Sequence, residues 1–224
     1  SESICRFKKA LAHYLYLEDH SLIMSVPSIR FGLKRLLQEH LGQRHCVLVP
    51  CFNCDVIKES ILAAGGVVCP YDFSPSPGFF DWKTVMQQAG PNTDAILVTH
   101  YFGVPVDFRP IIDYCRSNQI LLIEDCAHTL GGRIAGRVAG TLGDAALFSF
   151  NYDKPISLAW GGALLINNTD YLLNDSSEGI TIPSVNQEKE LLKEFYHSMV
   201  ERRAAIPKNF LFSERVFRKL GLRR

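Results

Sequence analysis

The sequence predicts an α/β fold of three layers, α/β/α, around a mostly parallel central sheet. Three observations predict it. Between residues 46 and 125, apolar runs of strand length alternate with stretches of helical periodicity, the pattern of a doubly wound sheet. The runs Ile120–Ile123, Ala145–Phe148 and Ala163–Ile166 are short, continuous and bounded by turn residues, as buried strands are. The first runs on into Glu124-Asp125 and the second into Ser149, so strands deliver polar groups at their C-terminal ends, where open α/β sheets bind ligands.

Residues 1–20 read as a helix, with Ile4, Phe7, Ala10, Leu11 and Leu15 near one face. A short apolar run, Ser21–Met24, leads to Pro27-Ser28, the entry to a second helix that carries Leu33, Leu36, Leu37 and Leu41 on one face. Ser28 suits either a plain helix cap or a ligand contact at the positive end of the helix. Cys46–Val49 is a strand; Cys51-Phe52-Asn53-Cys54 then enters a helix over Asp55–Ala64, which Gly65-Gly66 ends. The Cys-x-x-Cys spacing has no second pair with which to complete a zinc site. Val67–Tyr71 is the next strand, Asp81–Gln88 a helix, Ala95–Thr99 a strand and Phe108–Arg116 a helix. Residues 175–186 read as a loop, 187–205 as an amphipathic helix stopped by Pro207, and 210–222 as a last helix.

The 224 residues suit one large domain or two small ones, and the net charge of +1 gives no reason to expect nucleic acid or an anionic membrane as partner. The basic residues Arg215, Arg218, Lys219, Arg223 and Arg224 read as a solvated or frayed end. No apolar stretch reaches the roughly 18 residues of a membrane span, and no secretory signal opens the chain. Seven cysteines, an odd number without small-scaffold spacing, argue against a disulfide framework and for reduced thiols in the cytoplasm. The chain starts at Ser1 rather than Met, as a processed product or a piece of a longer protein would.

The chemistry concentrates in residues 121–166. Asp125, Ser149 and Lys154 bring a carboxylate, a hydroxyl and an amine to neighbouring strand ends. That set suits pyridoxal 5'-phosphate, which takes a lysine for a Schiff base, an acid against its pyridine nitrogen and donors for its phosphate. Lys154 lies five residues past Ser149 and before Gly161-Gly162; in a confined site its neutral amine becomes a nucleophile and a proton carrier. A lone lysine is otherwise a solvated charge, and a strand-end Asp otherwise caps a turn. Glu124 points to the opposite face by strand alternation and has no assigned role. His100 and Tyr101 stand at another strand end and are weaker pocket candidates. Trp160 reads as pocket wall or, rather, core.

These segments resemble the sugar-aminotransferase family, the DegT/DnrJ/EryC1/StrS group of fold-type-I pyridoxal-phosphate enzymes. The matching pieces are VLVP at Val47, AAGGVVCPYDF at Ala63, ILVTHYFGVPVDF at Ile96, IEDCAH at Ile123, GTLGDAALFSFNYDKPIS at Gly140 and WGGALLINN at Trp160. The resemblance implies the large domain of such an enzyme over residues 1–174, with a helical tail over 175–224 in place of the usual small C-terminal domain, so that the chain is shortened. It places His128 beside the cofactor ring near the phenolic oxygen. Pro27-Ser28 stands at the phosphate corner, where the family has a Gly-Thr pair. Cys54 stands where an aromatic group stacks on the ring, with Phe52 two residues earlier as a displaced substitute. The resemblance further implies amino transfer, generally from glutamate, to a keto-sugar carried on a nucleotide, in a homodimer. Related dehydratases replace the lysine with histidine, so Lys154 favours transamination. Two alternatives remain: a degenerate member that binds a ligand or partner without catalysis, and a fold-type-I lyase or desulfurase-like enzyme.

Overall fold

The continuous apolar runs are strands with both faces covered, and they join in one seven-stranded sheet. The computed structural model describes residues 2–19, 22–41, 45–74, 79–151, 153–158 and 160–173. Its strands are β1 (Ile23–Val26), β2 (Cys46–Pro50), β3 (Val67–Tyr71), β4 (Thr93–Thr99), β5 (Leu121–Asp125), a two-residue pair β6 (Arg133–Ile134) and β7 (Arg137–Val138), β8 (Ala145–Ser149) and β9 (Gly162–Ile166). The sheet order is β1-β9-β8-β5-β4-β2-β3. Strands β3, β2, β4, β5 and β8 are mutually parallel, and β9 alone runs against its neighbours β8 and β1. The C-terminal ends of β1, β2, β4, β5 and β8 therefore share one edge of the sheet with the N-terminal end of β9.

Helices α1 (Glu2–Tyr14), α2 (Ile29–Leu41), α3 (Asp55–Ala63), α4 (Trp82–Gln88) and α5 (Ile112–Ser117) cover the two faces. Strand alternation sorts the core. Ala95, Leu97, Leu121, Ile123, Ala145 and Leu147 point to the face where α2 and α3 bring Leu33, Leu36, Leu37, Ile57 and Ile61. Ile96, Val98 and Leu122 point the other way, to Trp82, Val85, Ile111 and Cys115. On that second face Ala146, Phe148, Ala163 and Leu165 meet Leu11, Ala12 and Leu15 of the N-terminal segment. Each buried Leu contributes about 1.5–3 kcal/mol. The expected three-layer α/β/α architecture is what forms. No helix among the described residues is long and apolar enough to cross a membrane.

Local chemistry moves several boundaries. The first helix stops at Tyr14 rather than running to residue 20, because Tyr16 takes a left-handed conformation with φ 60°. The helix expected over 108–116 begins instead as a 3₁₀ turn, Arg109–Ile111, with Pro110 in its first turn, before α5. The β6–β7 hairpin was not foreseen; it turns through Ala135 and Gly136, both at positive φ (48° and 85°), which a two-residue hairpin turn requires.

The thiols depart from expectation too. Cys46 and Cys69, on adjacent parallel strands with Cα atoms 6.5 Å apart, form a disulfide, and the other five cysteines are free. The expectation of wholly reduced thiols is corrected by that one cross-link. The β2–β3 register brings the two residues to neighbouring positions, Cys46 opposite Val67 and Leu48 opposite Cys69. The loop and helices expected after residue 174 lie outside the described residues.

Candidate functional site

The shared sheet edge opens into a cleft of about 490 Å³, within the size range of small-molecule sites. All seven residues singled out from sequence (Ser28, Phe52, Cys54, Asp125, His128, Ser149 and Lys154) line it. They arrive from the C-terminal ends of four strands, β1, β2, β5 and β8, or from the residues just beyond them. His100 and Tyr101 line it as well, whereas Trp160, half-buried, is not part of the lining among the described residues.

Asp125 ends β5 and is 3% exposed. Its Oδ1 accepts the Ala127 N–H at 3.0 Å. Burial pushes its carboxyl above the usual range, and the Ala127 hydrogen bond and the nearby His100, His128 and Lys154 pull the other way. Such a carboxylate invites a cationic partner.

Lys154 lies in the β8–β9 connection, where its backbone N–H donates to Asn151 O at 3.1 Å and turns the chain back toward the cleft. Its side chain is 13% exposed, with Nζ 3.1 Å from His128 Nε2 and 3.4 Å from Asp153 Oδ2. The amine is thus placed between an imidazole and a carboxylate, with Asp125 in the same cleft wall.

On the other side stand the helix starts. The Phe31 N–H donates to Ser28 Oγ at 3.3 Å, so Ser28 caps α2 while its own hydroxyl hydrogen stays available to a ligand. The cap reading of Ser28 is the one this hydrogen bond bears out. Gly162 packs so closely that a Cβ would stand 2.8 Å from Phe148 O and 3.3 Å from Ile29 N. The Gly161-Gly162 pair therefore lets the start of α2 sit against the β8–β9 edge, near Ser149.

Cys54 is the N-cap of α3 and makes no side-chain capping bond. Phe52 is 59% exposed and joins an aromatic rim, with ring centroids 5.9 Å from Tyr101 and 6.4 Å from Phe102. The Tyr101 hydroxyl donates to Phe52 O at 2.7 Å, and burial pushes its phenol well above the ordinary value. Both candidates for the ring-stacking position thus reach the cleft.

Sequence reasoning missed four features. Asn53 donates to Thr99 Oγ1 at 3.0 Å and accepts the Cys54 N–H at 2.7 Å, which fixes the loop that carries Phe52 and Cys54. Arg30 lines the rim and pairs with Glu59 at 3.0 Å. Phe102 extends the aromatic edge at 75% exposure. Glu124, given no role from sequence, is fully buried and accepts N–H groups of Gly140, Leu142 and Gly143 at 2.7–2.8 Å. Its signal was present in the sequence: an acid inside an apolar strand requires partners, and a glycine-containing loop, Gly140 to Gly143, offers backbone donors.

The model of the DegT/DnrJ/EryC1/StrS aminotransferase family matches residues 2–199. GDP-perosamine synthase of Caulobacter vibrioides is 29% identical over 167 residues, which cover 75% of this chain and 44% of that protein. GDP-perosamine synthase of Escherichia coli O157:H7 is 32% identical over 139 residues, 61% of this chain and 38% of that one. Among solved structures, the aminotransferase TlmJ from Streptoalloteichus hindustanus superposes with a TM-score of 0.65 at 29% identity, over 74% of this chain and 45% of its own. DesI, crystallised with its TDP-sugar product, gives 0.68 at 25% identity, over 76% and 43%. The chain spans less than half the length of these relatives. With a family match over most of its residues and the same fold, this chain belongs to the DegT/DnrJ/EryC1/StrS aminotransferase family.

Proposed function

We propose that the cleft holds pyridoxal 5'-phosphate and that the protein takes part in amino transfer to a keto-sugar carried on a nucleotide, with glutamate as amino donor. One observation carries the reading: the Lys154 amine, 3.1 Å from His128 Nε2, shares a cleft with the buried carboxylate of Asp125 and the hydroxyl of Ser149. The donor set fits the cofactor. A buried acid with a raised affinity for its proton matches a protonated pyridine nitrogen. The Ser28 and Ser149 hydroxyls, with the start of the 13-residue helix α2, match a phosphate.

When bound, the cofactor supplies an electron sink for the carbanion formed at the substrate carbon. Asp125 keeps a proton at the pyridine nitrogen, and that cation in turn stabilises the buried carboxylate. Lys154 would provide the nucleophilic amine and would move a proton at the substrate carbon as general acid–base. His128 Nε2, 3.1 Å from the Lys154 amine, would orient it. Phe52 or Cys54, both in the cleft lining, would stand against the cofactor ring. The resemblance to the family supports a homodimer as the working unit.

A second reading, a member that binds the ligand without turnover, is favoured by Cys54, a thiol at the N-cap where the family stacks an aromatic ring. One experiment addresses both. The purified chain with pyridoxal phosphate is expected to gain a visible absorbance band that Lys154→Ala abolishes, and to transfer the amino group of glutamate to a nucleotide keto-sugar. No band in the wild type would remove the cofactor. A band without turnover would select the second reading.

A further inference from the structure

The buried polar groups next to Asp125 form a second assembly, on the face of β5 opposite its carboxylate. His100 follows β4 and is fully buried. Its backbone N–H donates to Asp125 O at 3.1 Å. Its Nδ1 accepts the Val106 N–H at 3.0 Å. An Nδ1 that accepts leaves the ring proton on Nε2, and Nε2 lies 3.1 Å from Glu124 Oε2. Glu124 then ties the imidazole to the loop before β8, through the N–H groups of Gly140, Leu142 and Gly143.

This arrangement ties together the two strands that carry the proposed cofactor contacts. Glu124 precedes Asp125 on β5, and Gly143 lies two residues before β8, which ends on Ser149. A rotation of the Glu124 side chain would free the 140–143 loop and unseat His100, whose backbone holds the Asp125 carbonyl. His100, Glu124 and Cys126 also bring donor atoms within 4.8 Å of one another, as a metal site would. The Glu124 oxygens, however, are already met by four donors, so the cluster reads as a closed hydrogen-bond centre.

We infer that His100 and Glu124 are positioning residues: the Nε2–H to Glu124 hydrogen bond sets Asp125 and Ser149 in register for the cofactor's ring nitrogen and phosphate. The inference rests on the reading of the cleft as a pyridoxal-phosphate site.

Two substitutions separate the hydrogen bonds of His100. A Gln side chain can place an amide N–H where Nε2–H stands; an Asn side chain can replace only the Nδ1 acceptor. His100→Gln is expected to bind pyridoxal phosphate within about threefold of wild type, and His100→Asn about ten- to a hundredfold more weakly, the scale of one charge-assisted hydrogen bond. The readouts are cofactor affinity by fluorescence titration and the pH midpoint of the visible absorbance. That midpoint senses Asp125 together with the titratable groups around it (His100, Tyr101, Cys126, His128 and Lys154), Glu124 lying on the opposite face of β5, and it should move in His100→Asn and stay in place in His100→Gln. Equal behaviour of the two variants would overturn the inference. Should His100→Asn not fold, Glu124→Gln is judged by the same readouts; failure of both to fold would assign the pair to stability alone and overturn it too. A wild type that shows no absorbance band would instead remove the cofactor reading itself, which keeps the two failures distinct.

Discussion

Replacing Asp125 with Asn should make the cofactor-free protein more stable at neutral pH. The wild-type carboxyl is 3% exposed, and its proton affinity is raised, chiefly by burial. Below the ordinary carboxylate range the group is protonated in both folded and unfolded chains and costs nothing. As pH rises, the unfolded chain releases the proton first while the folded chain retains it. The folded state then binds more protons, and stability falls by about 1.4 kcal/mol per pH unit until the folded group also ionises. The stabilising contribution is thus present at low pH and lost as pH rises through the raised folded value. Taking one carboxylate out of water costs several kcal/mol. The Ala127 hydrogen bond, 3.0 Å, returns about 1.5–3 kcal/mol, and the positive surroundings return part of the rest. The residue is about 1–3 kcal/mol at pH 7. Asn keeps an oxygen for the Ala127 N–H and removes the charge, so its Tm should rise by about 3–10 °C at pH 7, with the gap closing near pH 4. Circular dichroism melts from pH 4 to 7 on cofactor-free protein measure it. A variant no more stable than wild type at pH 7, or a gap constant with pH, would refute the account of Asp125 as a strained buried charge.

Further outcomes follow from packing and covalent structure. Gly162→Ala would place a methyl group 2.8 Å from Phe148 O and 3.3 Å from Ile29 N; a loss of about 1–3 kcal/mol in urea unfolding is expected, together with weaker pyridoxal-phosphate binding, because the start of α2 must retreat. Thiol titration of the unfolded, unreduced chain should find five free cysteines, and peptide mapping should recover Cys46 joined to Cys69; seven titratable thiols would contradict the cross-link. Reducing it should cost about 2–4 kcal/mol of stability.

The fold and the three central residues were legible in the sequence because their signals are local. Ile120–Ile123 and Ala145–Phe148 are unbroken apolar runs, so their ends, Asp125 and Ser149, could be placed at a sheet edge without knowledge of any partner. Lys154 follows in a connection short enough to remain at that edge. Signals that depend on distant registers stayed hidden. Cys46 and Cys69 are separated by 23 residues, and their pairing exists only because β2 and β3 are parallel neighbours. The backbone donors that meet Glu124 lie 16 to 19 residues away in a loop with no periodicity. The Tyr16 helix stop was invisible because left-handed backbone at a tyrosine has no sequence signature comparable to glycine.

Alternation placed the carboxylates of Glu124 and Asp125 on opposite faces of β5, but not the difference in how they are solvated. Both are buried. Glu124 is met by three backbone N–H groups and His100 Nε2, so its charge is fully coordinated from within the chain. Asp125 receives one hydrogen bond from the described residues, Ala127 N–H, and its oxygens face a cleft. Burial alone would have nominated both. Donor count separates them: the carboxylate whose hydrogen-bonding capacity the protein fills is structural, and the one left short is the group that a bound cation completes. The same criterion explains why the two should respond oppositely to neutral isosteres. Asp125→Asn relieves an incompletely met charge and stabilises the empty protein. Glu124→Gln turns an acceptor into an N–H donor that confronts backbone N–H groups, and destabilises it.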